Sequence, residues 1–338
     1  MLQKRGSGAA DLCRSLKMEE LCFPQLINTS CRRPGPPRPR AVLVNCLLYS
    51  VSLLTVALNL LVIISVSHFR QLHTPTNILL LALAVSDFLV GFLLLPVEIL
   101  STTSCWFLGD FVCSLYNSVS FIITSASVGD IVLISVDRYV AICDPLRYTT
   151  RVTVRRVKVC VCACWLCAAI YSGLILKDDL AEPGRYHTCR GECVIVINYV
   201  EGAVDLVLTF VAPITVILVL YLRVFAAAVS QARAMRSHVI ALQLSVAPKT
   251  KKSELKAART LGVLVAVFLM CFCPYYGVSL AGDTVDSSSA SFVLYLFYFN
   301  SCLNPVIYAW FYCWFRKAVK VIVTLEILQP GSSKTKIL

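Results

Sequence analysis

Seven stretches of the chain are apolar almost without interruption, and polar or basic residues crowd the intervals between them. They run approximately over 41–67, 76–100, 110–142, 158–177, 199–224, 257–281 and 288–311. Each is about 20 residues or longer, the length a helix needs to cross roughly 30 Å of hydrocarbon. The pattern predicts an all-α membrane protein, a bundle of seven transmembrane helices. Residues 314–325 (WFRKAVKVIVTL) then predict a short amphipathic eighth helix on the inner membrane surface. The third and fifth spans carry internal polar residues, which mark functional candidates because such groups are costly in lipid.

Composition agrees with the pattern. The 338 residues are 58% hydrophobic and 15% charged, and the mean hydropathy is +0.76. A soluble domain does not hide that much apolar surface. The boundaries expected are an outer tail over 1–40, a seven-helix domain over 41–311, and the amphipathic helix with a cytoplasmic tail over 312–338. A stiff proline-rich connector, PGPPRP at 34–39, joins the tail to the first span. Residues 1–17 lack the apolar core of a signal peptide, so the first span is expected to serve as the targeting segment. Met18 just before LCFPQLINTSC makes residues 1–17 a candidate gene-model extension.

Charge orients the bundle. Of 31 Lys and Arg, 20 fall at or beyond the ends assigned to the cytoplasm, including Arg147, Arg151, Arg155, Arg156, Lys158 and the Lys249–Arg259 cluster. The bias places the N-terminus outside, against the local pull of Arg32, Arg33, Arg38 and Arg40. The net charge of +12 is therefore a topology signal, and no nucleic-acid partner is expected. Six outer cysteines remain once Cys13 is set aside with the extension: Cys22, Cys31, Cys105, Cys113, Cys189 and Cys193. An oxidising compartment favours disulfides among them, with 15 pairings open. Asn28-Thr29-Ser30 is a glycosylation sequon on the same side.

Asp137-Arg138-Tyr139 ends the third span, and Glu254 opens the sixth. An arginine shared between carboxylates is a bistable lock. NSCLNPVIYAWFYCWF, residues 300–315, closes the seventh span with Asn304, Pro305 and Tyr308 at membrane depth. Polar groups there must face other helices or water. With Asn59, Asp87, Arg138, Trp165, Pro213, Pro274 and Pro305 in order, the chain resembles a rhodopsin-type G-protein-coupled receptor of the amine branch. The 300–315 run, SVSHFRQLHTPTNILLLALAVSDFLVG, VDRYVAICDPLRY and CFPQLINTSC are similar to the trace amine-associated receptors over about residues 20–325.

The resemblance implies disulfides Cys113–Cys193, Cys22–Cys189 and Cys31–Cys105. It implies an allosteric sodium site at Asp87, Ser127, Asn300 and Asn304, and an activation switch that adds Tyr221 and Tyr308 to Arg138. It also implies a plasma-membrane receptor for extracellular amines, olfactory, acting through a stimulatory G protein and cyclic AMP, with no enzymatic activity. Two departures stand out. The usual third-span aspartate is Ser120, and Phe272 stands where a tryptophan is usual, two residues before Pro274.

Asp205 appears instead in the fifth span, eight residues before Pro213. At 1.5 Å per residue, Ser120 lies about 27 Å from Arg138 and Asp205 about 24 Å from Tyr221, so both are in the outer half of the bundle. The counter-ion is thus expected to have moved to the opposite wall, where its carboxylate would pair with an ammonium. A subset of the resembled family carries such a relocated aspartate. Glu201, one turn above, and Glu98 are candidate second acids for a diamine or polyamine. Phe272 and Tyr298 are candidate pocket walls with cation–π capacity.

Asp130, in mid-membrane on the third span, has no nameable partner. The residues leave open a receptor of this fold for a non-amine small molecule, and a non-signalling copy. A transporter is disfavoured by the absence of an inverted repeat. An enzyme is disfavoured because no His or Cys motif joins the deep acids.

Overall fold

The structure is a computed structural model that describes residues 21–35, 39–242, 249–281 and 287–337; at 228, 231–242, 249–261, 281 and 287–290 only the backbone is described. The first four long helices are α1 (Pro39–His68), α2 (Pro75–Thr103), α3 (Asp110–Cys143) and α4 (Val154–Ile175). α5 begins at Tyr199–Asp205, passes through a π-helical stretch at Leu206–Val211 and continues as Ala212–Leu242. α6 (Lys249–Ala281), α7 (Ser287–Phe311) and the short α8 (Cys313–Val323) follow, and two 3-10 turns, Glu326–Leu328 and Ser332–Lys334, lie beyond them. Seven of the helices are long and apolar enough to cross a membrane, so the protein is a multi-pass membrane protein.

Helix starts follow local chemistry. Thr74 caps α2 by accepting from the Asn77 N–H, Thr153 caps α4 through the Arg156 N–H, and Asn198 caps α5 through the Glu201 N–H. α2 also contains a π-helical stretch, Val90–Leu94. Both π stretches end two residues before a proline, Pro96 or Pro213. Proline has no N–H for the preceding turn, and the loosened ladder accommodates an extra residue.

α2, α3 and α7 form the inner core, while α4 and α5 turn most of their surface outward. α8 buries Trp314, Phe315, Ala318 and Val321 and exposes Arg316, Lys317 and Lys320. That spacing gives one apolar stripe and one basic face.

At the end of the bundle that carries the N-terminal turn, the structure joins Cys113 to Cys193 and exchanges the partners of the other two expected pairs. Cys22 bonds Cys105, and Cys31 bonds Cys189, in place of Cys22–Cys189 and Cys31–Cys105. Backbone pairing is the reason. Cys31 N–H donates to the Arg190 carbonyl and Arg190 N–H to the Thr29 carbonyl, which lays Cys31 beside Cys189. Cys22, opposite Cys31 in the same turn, is left facing Cys105, where Trp106 N–H holds the Gly191 carbonyl. Asn28 lies exposed on this turn.

Candidate functional site

The half of the bundle nearer the disulfides contains a cavity of about 70 Å³ lined by α3, α5, α6 and α7. Asp205 from α5 and Ser120 from α3 are both on its wall, as the depth count predicts, and so is Tyr298. The Ser120 and Tyr298 hydroxyls are 3.5 Å apart. Tyr275, Tyr276 and Phe297 supply the aromatic lining.

Asp205 is positioned by two hydroxyls. Tyr171 of α4 donates to its Oδ1 at 2.5 Å, and Thr209, one turn on, reaches the same oxygen at 3.4 Å. Thr209 also contacts the Tyr276 hydroxyl at 2.7 Å, tying α5 to α6 beside the carboxylate. Hydrogen-bonded hydroxyls lower the cost of an ionised acid away from water. The arrangement can hold one cation against Asp205. Sequence reading missed Tyr171 and Thr209. The available signal was that a buried tyrosine hydroxyl finds a partner.

Three expected ligand residues stand elsewhere. Phe272 does not line the cavity: it is buried one layer away, its ring centroid 4.2 Å from that of Phe297 and 4.0 Å from that of Phe268. Glu201 is not on the wall either, and its carboxylate lies 3.5 Å from Lys177 Nζ. Glu98 accepts from the Tyr116 hydroxyl at 3.2 Å, behind Tyr298.

Deeper in the bundle, Asp87 Oδ2 accepts from Asn304 at 2.8 Å. Asp87 Oδ1 and Asn300 Oδ1 are buried without a hydrogen-bond partner among the described residues. Ser127 is also buried, and Ser301, not foreseen, sits beside the carboxylate. Asn59 links α1 to α7 by donating to the Thr55 and Ser301 carbonyls. Asp130 is fully buried and neither of its oxygens accepts a hydrogen bond among the described residues. Nothing in the structure explains its charge-bearing side chain.

At the end of the bundle away from the disulfides, Arg138 Nη2 lies 2.5 Å from Asp137 Oδ2 and also contacts Thr76 Oγ1. Asp137 accepts further from Thr76 at 2.9 Å and Tyr148 at 2.8 Å. Burial pushes the Tyr148 phenol above its usual range, so it remains a neutral donor. Tyr139 packs beside Ile142 and Val224, between α3 and α5. The Glu254 side chain lies outside the described residues. Tyr221 packs on Gly262 of α6, while the Tyr308 hydroxyl is buried without a partner among the described residues. Pro305 sits inside α7 one turn before it.

Comparison with known proteins gives this geometry a context. Residues 58–308 match the 7 transmembrane receptor (rhodopsin family). The chain is 36% identical over 324 residues to trace amine-associated receptor 13c of Danio rerio, covering 93% of this chain and 95% of that one. Identity to trace amine-associated receptor 1 of Mus musculus is 35% over 326 residues, covering 92% and 98%. Identity to trace amine-associated receptor 7e of Rattus norvegicus is 36% over 340 residues, covering 97% and 94%. These relatives are receptors and not enzymes. The chain belongs to the rhodopsin family of seven-transmembrane receptors, within the trace amine-associated group.

Proposed function

We propose that this receptor lies in the plasma membrane with its N-terminus outside, binds extracellular volatile or biogenic amines, and serves olfaction. The ammonium pairs with Asp205, and the bound receptor acts through a stimulatory G protein and cyclic AMP. The observation that carries the reading is the Asp205 carboxylate on the wall of an outer cavity, held by Tyr171 and Thr209 and facing Ser120. The amine in the names of the relatives supports the ligand class. The basic inner loops and the outer disulfide cluster support the orientation, and exposed Asn28 suits a glycan.

Three roles follow. Asp205 supplies the charge, with Tyr171 and Thr209 positioning it. Ser120 and Tyr298 close the facing wall. Arg138, held by Asp137, is the element released when α6 moves outward, with Glu254, Tyr221, Pro305 and Tyr308 completing the switch.

A sodium ion fits the group around Asp87. The Asp87 carboxylate, through Oδ1, and the Asn300 Oδ1 amide oxygen are buried hard donors of low total charge, without hydrogen-bond partners among the described residues. Ser127, Asn300 and Asn304 would hold it with Asp87, and its positive charge would neutralise that buried acid.

The test is cyclic AMP accumulation in transfected cells challenged with an amine panel. Asp205→Ala removes one partner of a desolvated charge pair, about 2–5 kcal/mol, so potency falls about 30-fold or more. Amine responses that survive Asp205→Ala at equal surface expression overturn the reading.

A further inference from the structure

A second, larger cavity adjoins the first. It is a cleft of about 260 Å³ between α3, α4 and α5, with Cys164, Cys167 and Ala168 of α4 and Leu208 of α5 in its walls. Ser125, Val128 and Thr209 belong to this cleft and to the Asp205 cavity alike. Tyr171, whose hydroxyl holds Asp205, lines the cleft as well. Asp205 itself lines only the smaller cavity, but both hydroxyls that hold its carboxylate, those of Tyr171 and Thr209, belong to residues of the cleft wall.

Size separates what each can hold. A dry cavity of about 150 Å³ accommodates a benzene ring. The 70 Å³ cavity is well below that, and the 260 Å³ cleft well above it. Charge separates them further. A second ammonium needs a second carboxylate, and none besides Asp205 lines either space: Glu98 is engaged with Tyr116, Glu201 with Lys177, and Asp130, behind Gly129 and Cys164, is fully buried. None of the cleft's lining residues is acidic. A cation there would sit at membrane depth without a partner.

We infer that this receptor selects primary monoamines with an apolar tail, the ammonium at Asp205 and the tail running between α3, α4 and α5, and that it discriminates against diamines. The inference rests on the pairing of the ammonium with Asp205. It names the cleft as the specificity-determining part of the site and hydrocarbon as its occupant.

Two measurements test it. The first compares n-alkylamines from propyl to octyl, with α,ω-diamines of matching length, on wild-type receptor and Cys167→Phe. Cys167 is exposed toward the membrane, so the larger ring narrows the cleft without overfilling a packed core. Each methylene taken into the cleft should raise potency about fourfold, from ~0.8 kcal/mol per CH2. Longer amines also concentrate in the bilayer, so the signal is the difference between receptors. Octylamine should lose at least tenfold in Cys167→Phe while propylamine is unchanged, and diamines should be at least tenfold weaker than monoamines of equal length.

The second measurement is independent of signalling. Octylamine carrying a diazirine at its tail is cross-linked to the full receptor in membranes, and the adducts are located by mass spectrometry. Adducts on α4 or on 206–213, displaced by excess heptylamine, support the inference. Adducts on α6 or α7, potency that is the same for all chain lengths, or diamines equal to monoamines overturn it while leaving the Asp205 pairing intact. Labelling and responses that persist in Asp205→Ala overturn the pairing and the inference together.

Discussion

Asp137→Asn offers the sharpest test of the resting lock. The wild-type carboxylate is almost fully buried and accepts from Arg138 Nη2 at 2.5 Å, Arg138 Nε at 3.0 Å, Tyr148 at 2.8 Å and Thr76 at 2.9 Å. Asparagine keeps the shape but removes the charge and turns one acceptor into a donor facing donors. A hydrogen bond to a charged group contributes about 1.5–3 kcal/mol. Because the Arg138 side chain retains 15% exposure, water replaces part of the loss, and about 2 kcal/mol is a fair figure.

That is about a 30-fold change in the ratio of released to held Arg138. A receptor released in about 1% of molecules would then be released in about a quarter of them. Tyr148→Phe removes a single donor to that carboxylate, and because Tyr148 is only half-buried water replaces part of it, leaving about 1 kcal/mol and a shift of about fivefold in the ratio. The assay is ligand-free cyclic AMP accumulation normalised to surface receptor, with the expected order Asp137→Asn, then Tyr148→Phe, then wild type. Unchanged basal signal in Asp137→Asn at equal surface level refutes the lock. So does a Tyr148→Phe effect larger than that of Asp137→Asn, because the smaller perturbation cannot outweigh the loss of the charge.

Two further predictions concern the frame. Peptide mapping without reduction should recover Cys22–Cys105 and Cys31–Cys189 linkages; Cys22–Cys189 peptides would show that residues 29–31 do not lie along Arg190. Gly91→Ala should cost about 2–4 kcal/mol and lower both surface expression and the melting temperature of the purified receptor. Its added Cβ would stand 2.8 Å from Thr55 Cβ and 3.1 Å from the Val56 nitrogen, prising α1 from α2 and straining the 2.7 Å Ser52–Gly91 bond. Wild-type behaviour of Gly91→Ala in both measurements would show that α1 and α2 approach less closely than described.

The seven spans were legible because lipid imposes a length and an apolar composition on each helix, and α8 because its basic residues recur opposite Trp314, Phe315 and Ala318. Asp205 and Ser120 were legible as cavity residues because residue counts along rigid helices give depth. What sequence could not supply was anything fixed by neighbours far apart in the chain. The disulfide partners depend on a backbone register between residues 29–31 and 189–190, and Cys22, Cys31, Cys105 and Cys189 read alike without it. Glu201 reads as a ligand acid until Lys177 is seen beside it. Phe272 and Phe297 are indistinguishable as apolar aromatics, and packing alone puts one on the wall and the other behind it.

The π-helical stretch Leu206–Val211 lies just inward of Asp205. Each residue in a helix turns the chain about 100°, so one residue more or less in that stretch would rotate the whole outer part of α5 relative to its inner part. The wall that carries the charge is therefore written in a count of residues as well as in their kinds. A single-codon deletion between Asp205 and Pro213, at a position other than Leu208 or Thr209, would leave every functional side chain in the gene and still turn the carboxylate out of the cavity. Receptors of this architecture can thus change ligand through a frame-preserving slip in helix length, a route that alignments scored on substitutions alone would record as a harmless gap.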